Sequence, residues 1–245
     1  MKEIISKDNK LIKEWAKLKQ KKFVDKTDCV LLEGITLINE AEQRNVKFEA
    51  VCTNFQTDED FGCPTYFLKE NAFKVLSGTE NSQGIIAVAK MPKNKFSLPK
   101  GNFLVLDQIK DPGNLGTIIR TAVACGFCEI YCLNCVSFRN EKVIRSTMGT
   151  IFDCKIMDIT LDEFNSLSKY LLYSAEMSGK SVFEIKSTPK QFGIVVGNEA
   201  HGISEEVKKT KLEAVSLPMK NKVESLNAGV ACGILMYILL SKQKQ

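Results

Sequence analysis

Three loops in the second half of this 245-residue chain carry the side chains best suited to chemistry. The first is Leu106-Asp-Gln-Ile-Lys-Asp-Pro-Gly-Asn-Leu-Gly-Thr-Ile-Ile-Arg-Thr121. An apolar strand stops at Asp107, a Pro-Gly turn follows, and a helix is expected to begin around Asn114, a residue suited to an N-cap. Arg120 then falls about two turns into that helix. The second is Val196-Gly-Asn-Glu-Ala-His-Gly-Ile-Ser204, again directly after an apolar strand. Its two glycines bracket Glu199 and suit backbone that turns tightly and approaches a ligand. The third, Leu217-Pro-Met-Lys-Asn-Lys-Val-Glu-Ser-Leu-Asn227, runs into a final helix, with Ser225 as candidate N-cap and Asn227 in its first turn.

Ligands of open α/β sheets bind outside the carboxyl ends of the strands, where such loops lie. The second loop half-resembles a phosphate-binding P-loop, but Ile203 stands where the lysine must be, and no GxGxxG follows any strand. A nucleotide-binding Rossmann site is therefore unsupported. His201 is the single histidine of the chain, and a lone loop histidine is either catalytic or structural.

The elements that must position these loops read as α/β. In the first half, strands are expected at Cys29–Glu33, Phe48–Thr53 and Gly84–Lys90, with helices at Ile35–Arg44 and Glu70–Leu76. Met91-Pro-Lys-Asn-Lys-Phe-Ser-Leu-Pro-Lys100 has two prolines and no period, so it reads as a linker. It separates a domain of residues 1–92 from one of residues 101–245. After it the pattern predicts strand Phe103–Asp107, helix 114–125, strand 128–133 and a helical stretch near 141–150. Helix 161–169, strands 170–175, 192–197 and Ala214–Leu217, and a helix from Ser225 complete it. Continuous apolar strands such as Phe103-Leu-Val-Leu106 and Ile194-Val-Val196 suit a parallel sheet covered on both faces.

Composition narrows the function classes. Hydrophobic residues at 44% and charged residues at 26% sit near the globular average, which argues against disorder. The apolar run Leu226–Leu240 contains Asn227 and falls short of the ~20 residues a bilayer crossing needs. The first residues, MKEIISKDNK, lack the apolar core of a secretory signal. Residues 1–26 hold nine lysines against four acids, which accounts for the whole formal net charge of +5. Leu11, Trp15 and Leu18 recur there at helical spacing, so a helix could dock its apolar stripe and turn Lys10, Lys17 and Lys21 toward a polyanion. The alternative is a surface helix that lysines merely keep soluble.

Nine cysteines without a secretory signal imply free thiols and a reducing, cytoplasmic setting. Cys125, Cys128, Cys132 and Cys135 spell a zinc-like C-x2-C-x3-C-x2-C. Their stretch reads as a strand, which sets Cys128 and Cys132 roughly 13 Å apart. Tetrahedral zinc needs its sulfurs about 2.3 Å from the metal, so the cysteines are expected to be small buried hydrophobes and no metal is expected.

In this order, DPGNLGTIIRTA, GNEAHGIS and LPMKNKVESLNAG closely resemble the SpoU (TrmH-like) branch of the SPOUT methyltransferases, over about Phe103 to Leu240. The first half is similar to the small N-terminal substrate-binding domain of that family, at Leu31-Leu-Glu-Gly34 and Gln83-Gly-Ile-Ile-Ala-Val88. The resemblance implies an S-adenosylmethionine-dependent RNA 2'-O-ribose methyltransferase that acts as a homodimer, with a deep trefoil knot in its C-terminal domain. It also implies that backbone around Gly197, Leu217, Met219 and Leu226 holds the methyl donor, and that Asn114, Arg120, Glu199, Ser225 and Asn227 form the polar site. Arg145 matches a family segment and would contact RNA or the partner's site. The family implicates the Arg120 position in activating the hydroxyl. A guanidinium holds its proton too tightly to be the base, so phosphate gripping and orientation of the hydroxyl suit Arg120 better.

The sequence departs from the family at Asn221, usually glycine, and at Ala228-Gly229, usually Val-Ser. Gly229 and Gly233 each cost a helix ~1 kcal/mol relative to Ala; close approach by a second copy or by an intrachain neighbour would offset this. The resemblance of the compact first domain to the family's rRNA-gripping domain implies ribosomal RNA as substrate. Transfer RNA is the alternative within the fold, and a catalytically silent knotted RNA-binding protein is the alternative outside enzymes.

Overall fold

The computed structural model describes residues 2–221 and 225–244; residues 222–224 of the third loop lie outside them. The chain opens with β1 (Lys2–Ile4), α1 (Lys10–Ala16), α2 (Lys21–Thr27), β2 (Cys29–Glu33), α3 (Ile35–Gln43), β3 (Phe48–Thr53), β4 (Thr65–Leu68), α4 (Glu70–Leu76) and β5 (Ile85–Lys90). It continues with β6 (Phe103–Asp107), α5 (Pro112–Ala124), β7 (Glu129–Leu133), α6 (Glu141–Ser146), β8 (Lys155–Asp158), α7 (Leu161–Asn165) and β9 (Leu171–Ser181). Last come β10 (Phe192–Val196), α8 (Glu205–Lys208), β11 (Glu213–Ser216) and α9 (Ala228–Ser241). No helix among the described residues is long and apolar enough to cross a membrane.

The chain folds as two compact units. One comprises residues up to Lys93 together with Arg139–Phe152, and the other comprises Asn94–Phe138 and the residues from Asp153 onward. In the first unit, five strands form a mixed sheet in the order β1-β4-β3-β5-β2. The basic segment is not one helix. α1 passes through a 3-10 turn at Lys17–Lys19 and breaks at Gln20, whose backbone is extended, before α2 resumes. Ile12, Leu18 and Val24 are the buried residues of this segment, while Leu11 is half-buried and Trp15 stacks edge-on against Tyr66 at 5.4 Å.

Segment 139–152 joins this unit from far along the chain. The Arg139 side chain is fully buried and ion-pairs with Asp25 and, at 2.9 Å, with Asp28; it also donates to the Met91 carbonyl at 3.2 Å. The expected helix near 141–150 stops early. Met148 and Gly149 take left-handed φ values of 52° and 91°, which no helix continues through, and a 3-10 turn follows at Thr150–Asp153.

Glu33, the acid of the Leu-Leu-Glu-Gly segment, is the polar hub of this unit. Its carboxylate accepts from the Ser77 hydroxyl at 2.6 Å, the Thr79 hydroxyl at 2.7 Å and the Gly78 N–H at 2.9 Å. Arg145 pairs with it at 3.5 Å.

In the second unit six strands, all parallel, run in the order β11-β9-β10-β6-β7-β8. Every residue of β6 and β10 is buried, as continuous apolar strands in a doubly covered sheet require. Phe103, Tyr131, Phe164, Leu172, Val195 and Val207 share one core. α5 and α9 pack on each other, and α9 also contacts β9 and β10. Both helices start where other residues cap them than the sequence reading expects. Asp111 is the N-cap of α5, accepting from the Asn114 N–H at 2.7 Å, with Pro112 as the first helical residue. Asn227, not Ser225, caps α9, accepting from the Gly229 N–H at 2.9 Å and the Val230 N–H at 3.3 Å. Gly229 and Gly233 face α5, where an added Cβ would lie 3.1 Å from the methyl groups of Thr117 and Thr121. The close approach of α5 within the chain thus offsets their helical cost.

Burial raises the Glu33 carboxyl, but hydrogen bonds from Ser77, Gly78, Thr79 and Ser82 outweigh it and hold the group below the usual glutamate range. A depressed folded pKa stabilises above the unfolded value and is lost as pH falls through the folded one. Glu33→Gln should therefore cost about 1–3 kcal/mol at neutral pH. Its deficit should shrink below about pH 4, as urea melts of both proteins across that range would show.

Candidate active site

The carboxyl ends of β6 and β10 lie side by side at the centre of the parallel sheet, paired from Gly193↔Phe103 to Val196↔Leu106. From β6 the chain proceeds to β7 and β8 on one side, and from β10 it crosses over β9 to β11 on the other. This reversal of strand order is where open α/β sheets leave a crevice for ligand.

Two fixed contacts set the loops above that crevice. Asp107, fully buried, accepts the Ser204 N–H at 2.7 Å through Oδ2, while its buried Oδ1 has no hydrogen-bond partner among the described residues. Asn198 donates from Nδ2 to the Gln108 carbonyl at 2.9 Å, and its Oδ1 accepts the N–H groups of Ala200 and His201 at 3.0 and 3.1 Å. The Asn198 and Gly202 backbones exchange two hydrogen bonds of 2.8 Å, so the 197–204 loop is a closed hairpin rather than a free excursion. Gly197 is required at its base, because a Cβ there would lie 2.2 Å from the Gly202 carbonyl carbon. His201 is exposed, and its backbone rather than its ring serves the loop.

The predicted polar residues divide into two sets. Asn114, Glu199 and Asn227, one from each loop, are brought together. Asn114 donates from Nδ2 to Glu199 Oε1 at 2.8 Å, and its Oδ1 accepts from Asn227 Nδ2 at 2.7 Å. Arg120 stands exposed on α5 and forms no ion pair among the described residues. Ser225 is exposed and borders the cavity described next. Arg145 lies in the first unit against Glu33. Lys10, Lys17 and Lys21 are exposed in that unit too, with the Lys17 ammonium 5.4 Å from the centre of the Phe23 ring.

Beside the polar triad is a cavity of about 320 Å³. Gly197, Leu217, Met219 and Leu226, the four expected donor-binding residues, all line it. Its other walls, among them Met177 and Leu235, are mostly apolar. Asn221 holds φ at 59°, the left-handed backbone that a glycine would otherwise supply. An apolar slot bordered by loop backbone, with carboxylates and amides at its edge, fits a ligand with a flat base, a ribose and a cationic sulfur.

Sequence reasoning missed Asp107 and Asn198. The signal for Asp107 was available, since a carboxylate ending an otherwise apolar strand is costly unless it is used. For the cysteines, burial pushes Cys52, Cys154 and Cys232 up to about 12, which leaves them as protonated, inert thiols. Among the described residues no three His, Cys, Asp or Glu side chains are grouped so as to hold a metal.

If the hairpin forms one wall of the ligand cavity, Gly197→Ala should force its two strands apart. We expect a stability loss of about 1–3 kcal/mol and at least a roughly tenfold weaker affinity for S-adenosylhomocysteine, measured by thermal melt and calorimetric titration.

Residues 101–237 match the SpoU rRNA Methylase family, and residues 9–87 match the MRM3-like substrate binding domain. The 23S rRNA (guanosine(2553)-2'-O)-methyltransferase RlmP of Bacillus subtilis (strain 168) is 34% identical, over 98% of this chain and 99% of its own length. The AdoMet-bound rRNA methyltransferase of Sinorhizobium meliloti superposes with a TM-score of 0.87 at 24% identity, over 98% and 97% of the two chains. The SpoU methyltransferase AviRb of Streptomyces viridochromogenes, in complex with AdoMet, superposes with a TM-score of 0.85 at 20% identity, over 95% and 97%. With both halves matched and 34% identity to a relative over nearly the whole chain, the chain belongs to the SpoU rRNA methylase family.

Proposed function

We propose that this protein transfers a methyl group from S-adenosylmethionine to a ribose 2'-hydroxyl of ribosomal RNA. The observation that carries the reading is the junction of Asn114, Glu199 and Asn227 beside a cavity lined by the four expected donor-binding residues. The donor supplies an electrophilic methyl on a sulfonium. The 197–204 hairpin and the Leu217–Met219 stretch supply backbone and apolar walls that exclude water from the base and sulfur. Asn114 and Asn227 are locked in single orientations by their mutual bond and by the cap of α9, which suits holding a nucleotide rather than moving a proton. Ser225, at the cavity edge, adds a hydroxyl to the same rim. Arg120 grips a backbone phosphate and orients the reacting hydroxyl, whose proton leaves to phosphate or water.

The first unit reads the RNA. Lys10, Lys17 and Lys21 contact phosphates sequence-independently, and Arg145 lies on the segment that joins them. Ribosomal RNA is favoured over transfer RNA by the substrate-binding domain match and by the 23S rRNA activity of the Bacillus subtilis relative. A deep trefoil knot in the second unit is part of this reading, supported by membership of the SpoU family. So is a cytoplasmic location, supported by nine free cysteines.

The protein works as a homodimer through its C-terminal domain. Val230, Ile234 and Tyr237 are exposed along α9, a contiguous apolar face that an isolated chain would leave wet. Ile234→Asp should convert a sedimenting dimer to monomer; a wild type already monomeric at working concentration would reject the dimer.

The deciding experiment transfers tritium from labelled S-adenosylmethionine to protein-free ribosomal RNA and, separately, to bulk tRNA. Alkali-resistant label at one rRNA position, falling about 100-fold in Arg120→Ala, is the expected result. Label in tRNA alone would change the substrate and keep the mechanism. No label in either RNA, with no donor binding, would overturn the enzyme.

A further inference from the structure

The charge of the donor cavity is set by acids. Glu176 and Glu199 line it, and no Lys, Arg or His stands among its described lining residues. Glu199 already accepts from Asn114. Glu176 has no part in the polar triad.

Its position is built by an irregularity of the sheet. β11 pairs with β9 at Ala214↔Ser174 and then at Val215↔Lys180, so residues 175–179 of β9 are looped out between two consecutive residues of its neighbour. Gly179 closes the excursion against backbone, where a Cβ would sit 2.5 Å from the Val215 nitrogen. Ala175, Glu176 and Met177 of the looped stretch line the cavity. Ser174 is fully buried at the last paired position and donates its hydroxyl to Glu176 Oε1 at 2.5 Å. A side chain that cannot move thus aims the carboxylate. Lys208 feels the Glu176 charge, but its ammonium pairs with Glu205 at 2.9 Å and does not line the cavity.

We propose that Glu176 is a donor-selecting residue: its carboxylate makes the cavity hold cationic S-adenosylmethionine in preference to neutral S-adenosylhomocysteine. In the transfer, the methyl carbon–sulfur bond breaks with its electron pair left on sulfur. A carbon–oxygen bond forms to the ribose, and the hydroxyl proton departs. The ligand in the cavity loses one positive charge and nothing else of consequence. A fixed negative charge in a slot with mostly apolar walls therefore favours the substrate form and releases the spent one.

The inference rests on the methyl-donor reading of the cavity, and its test separates the two. Calorimetric titration would compare S-adenosylmethionine and S-adenosylhomocysteine on wild type, Glu176→Gln and Ser174→Ala. Glu176→Gln should weaken the first about tenfold and leave the second within about twofold, a change of about 1.4 kcal/mol confined to the cation. Ser174→Ala, which frees the carboxylate without removing it, should move the ratio the same way by less; it keeps the test alive if Glu176→Gln fails to fold. Equal losses for both ligands would overturn the proposal, since Glu176 would then be holding the ribose or the α-ammonium that they share. Unchanged affinities would overturn it too. Wild type that binds neither ligand would instead overturn the donor reading.

Discussion

The Asn114 side chain has each end of its amide committed to a different loop. Its nitrogen donates to Glu199, 85 residues away, and its oxygen accepts from Asn227, 113 residues away. Asn227 can offer only its nitrogen, because its oxygen already caps α9. The direction of each bond is thereby fixed, and the cap of a helix sets the orientation of a site residue two contacts further on. For Asn114 to reach both partners, α5 must start three residues earlier, at Asp111. Had Asn114 been the cap, its oxygen would have been spent on α5 itself. The site depends on this choice of helix start.

That choice also shows where the sequence stops being legible. Asp and Asn cap helices about equally well, so the pattern around Asp111-Pro-Gly-Asn114 permits two starts. The proline at the first helical position decides between them. The same ambiguity moved the start of α9 from Ser225 to Asn227. Strands with buried apolar runs were readable to within a residue, β2, β3 and β6 among them, the run being broken inside only by the exposed Glu49 of β3. β1 at the sheet edge and the half-buried β4 carried no such run, and neither was anticipated. The looped stretch in β9 had no local signal at all: it exists only relative to the register of β11. That Gly197, Leu217, Met219 and Leu226 would share one cavity was legible through family resemblance, whereas the contacts of Asp107 and Asn198 emerge only when the loops are seen to touch.

The two units handle charge in opposite ways. The first concentrates cations on exposed positions of a broken helix, with Lys13 paired to Asp8 and Lys19 bonded to the Val75 and Ser77 carbonyls. Glu33 sits amid hydroxyls, and Asp25 and Asp28, both open to solvent, enclose the buried Arg139. The second unit gives its ligand cavity carboxylates and no described cation. A surface of the first sign suits a polyanion and a cavity of the second suits a cationic ligand, and each would lose that fit if their signs were exchanged.

The excursion of residues 139–152 into the first unit fixes an order of events during synthesis. Asp25 and Asp28 leave the ribosome 114 and 111 residues before Arg139, the buried cation they enclose. At roughly 5–20 residues per second, that gap lasts on the order of ten seconds. In that interval β6, α5 and β7 emerge, so the second unit begins its sheet before the first unit receives its buried cation. The nascent chain therefore cannot fold one domain to completion and then the next; its halves must mature together, and a stop codon placed at the linker would yield an N-terminal fragment lacking its own keystone.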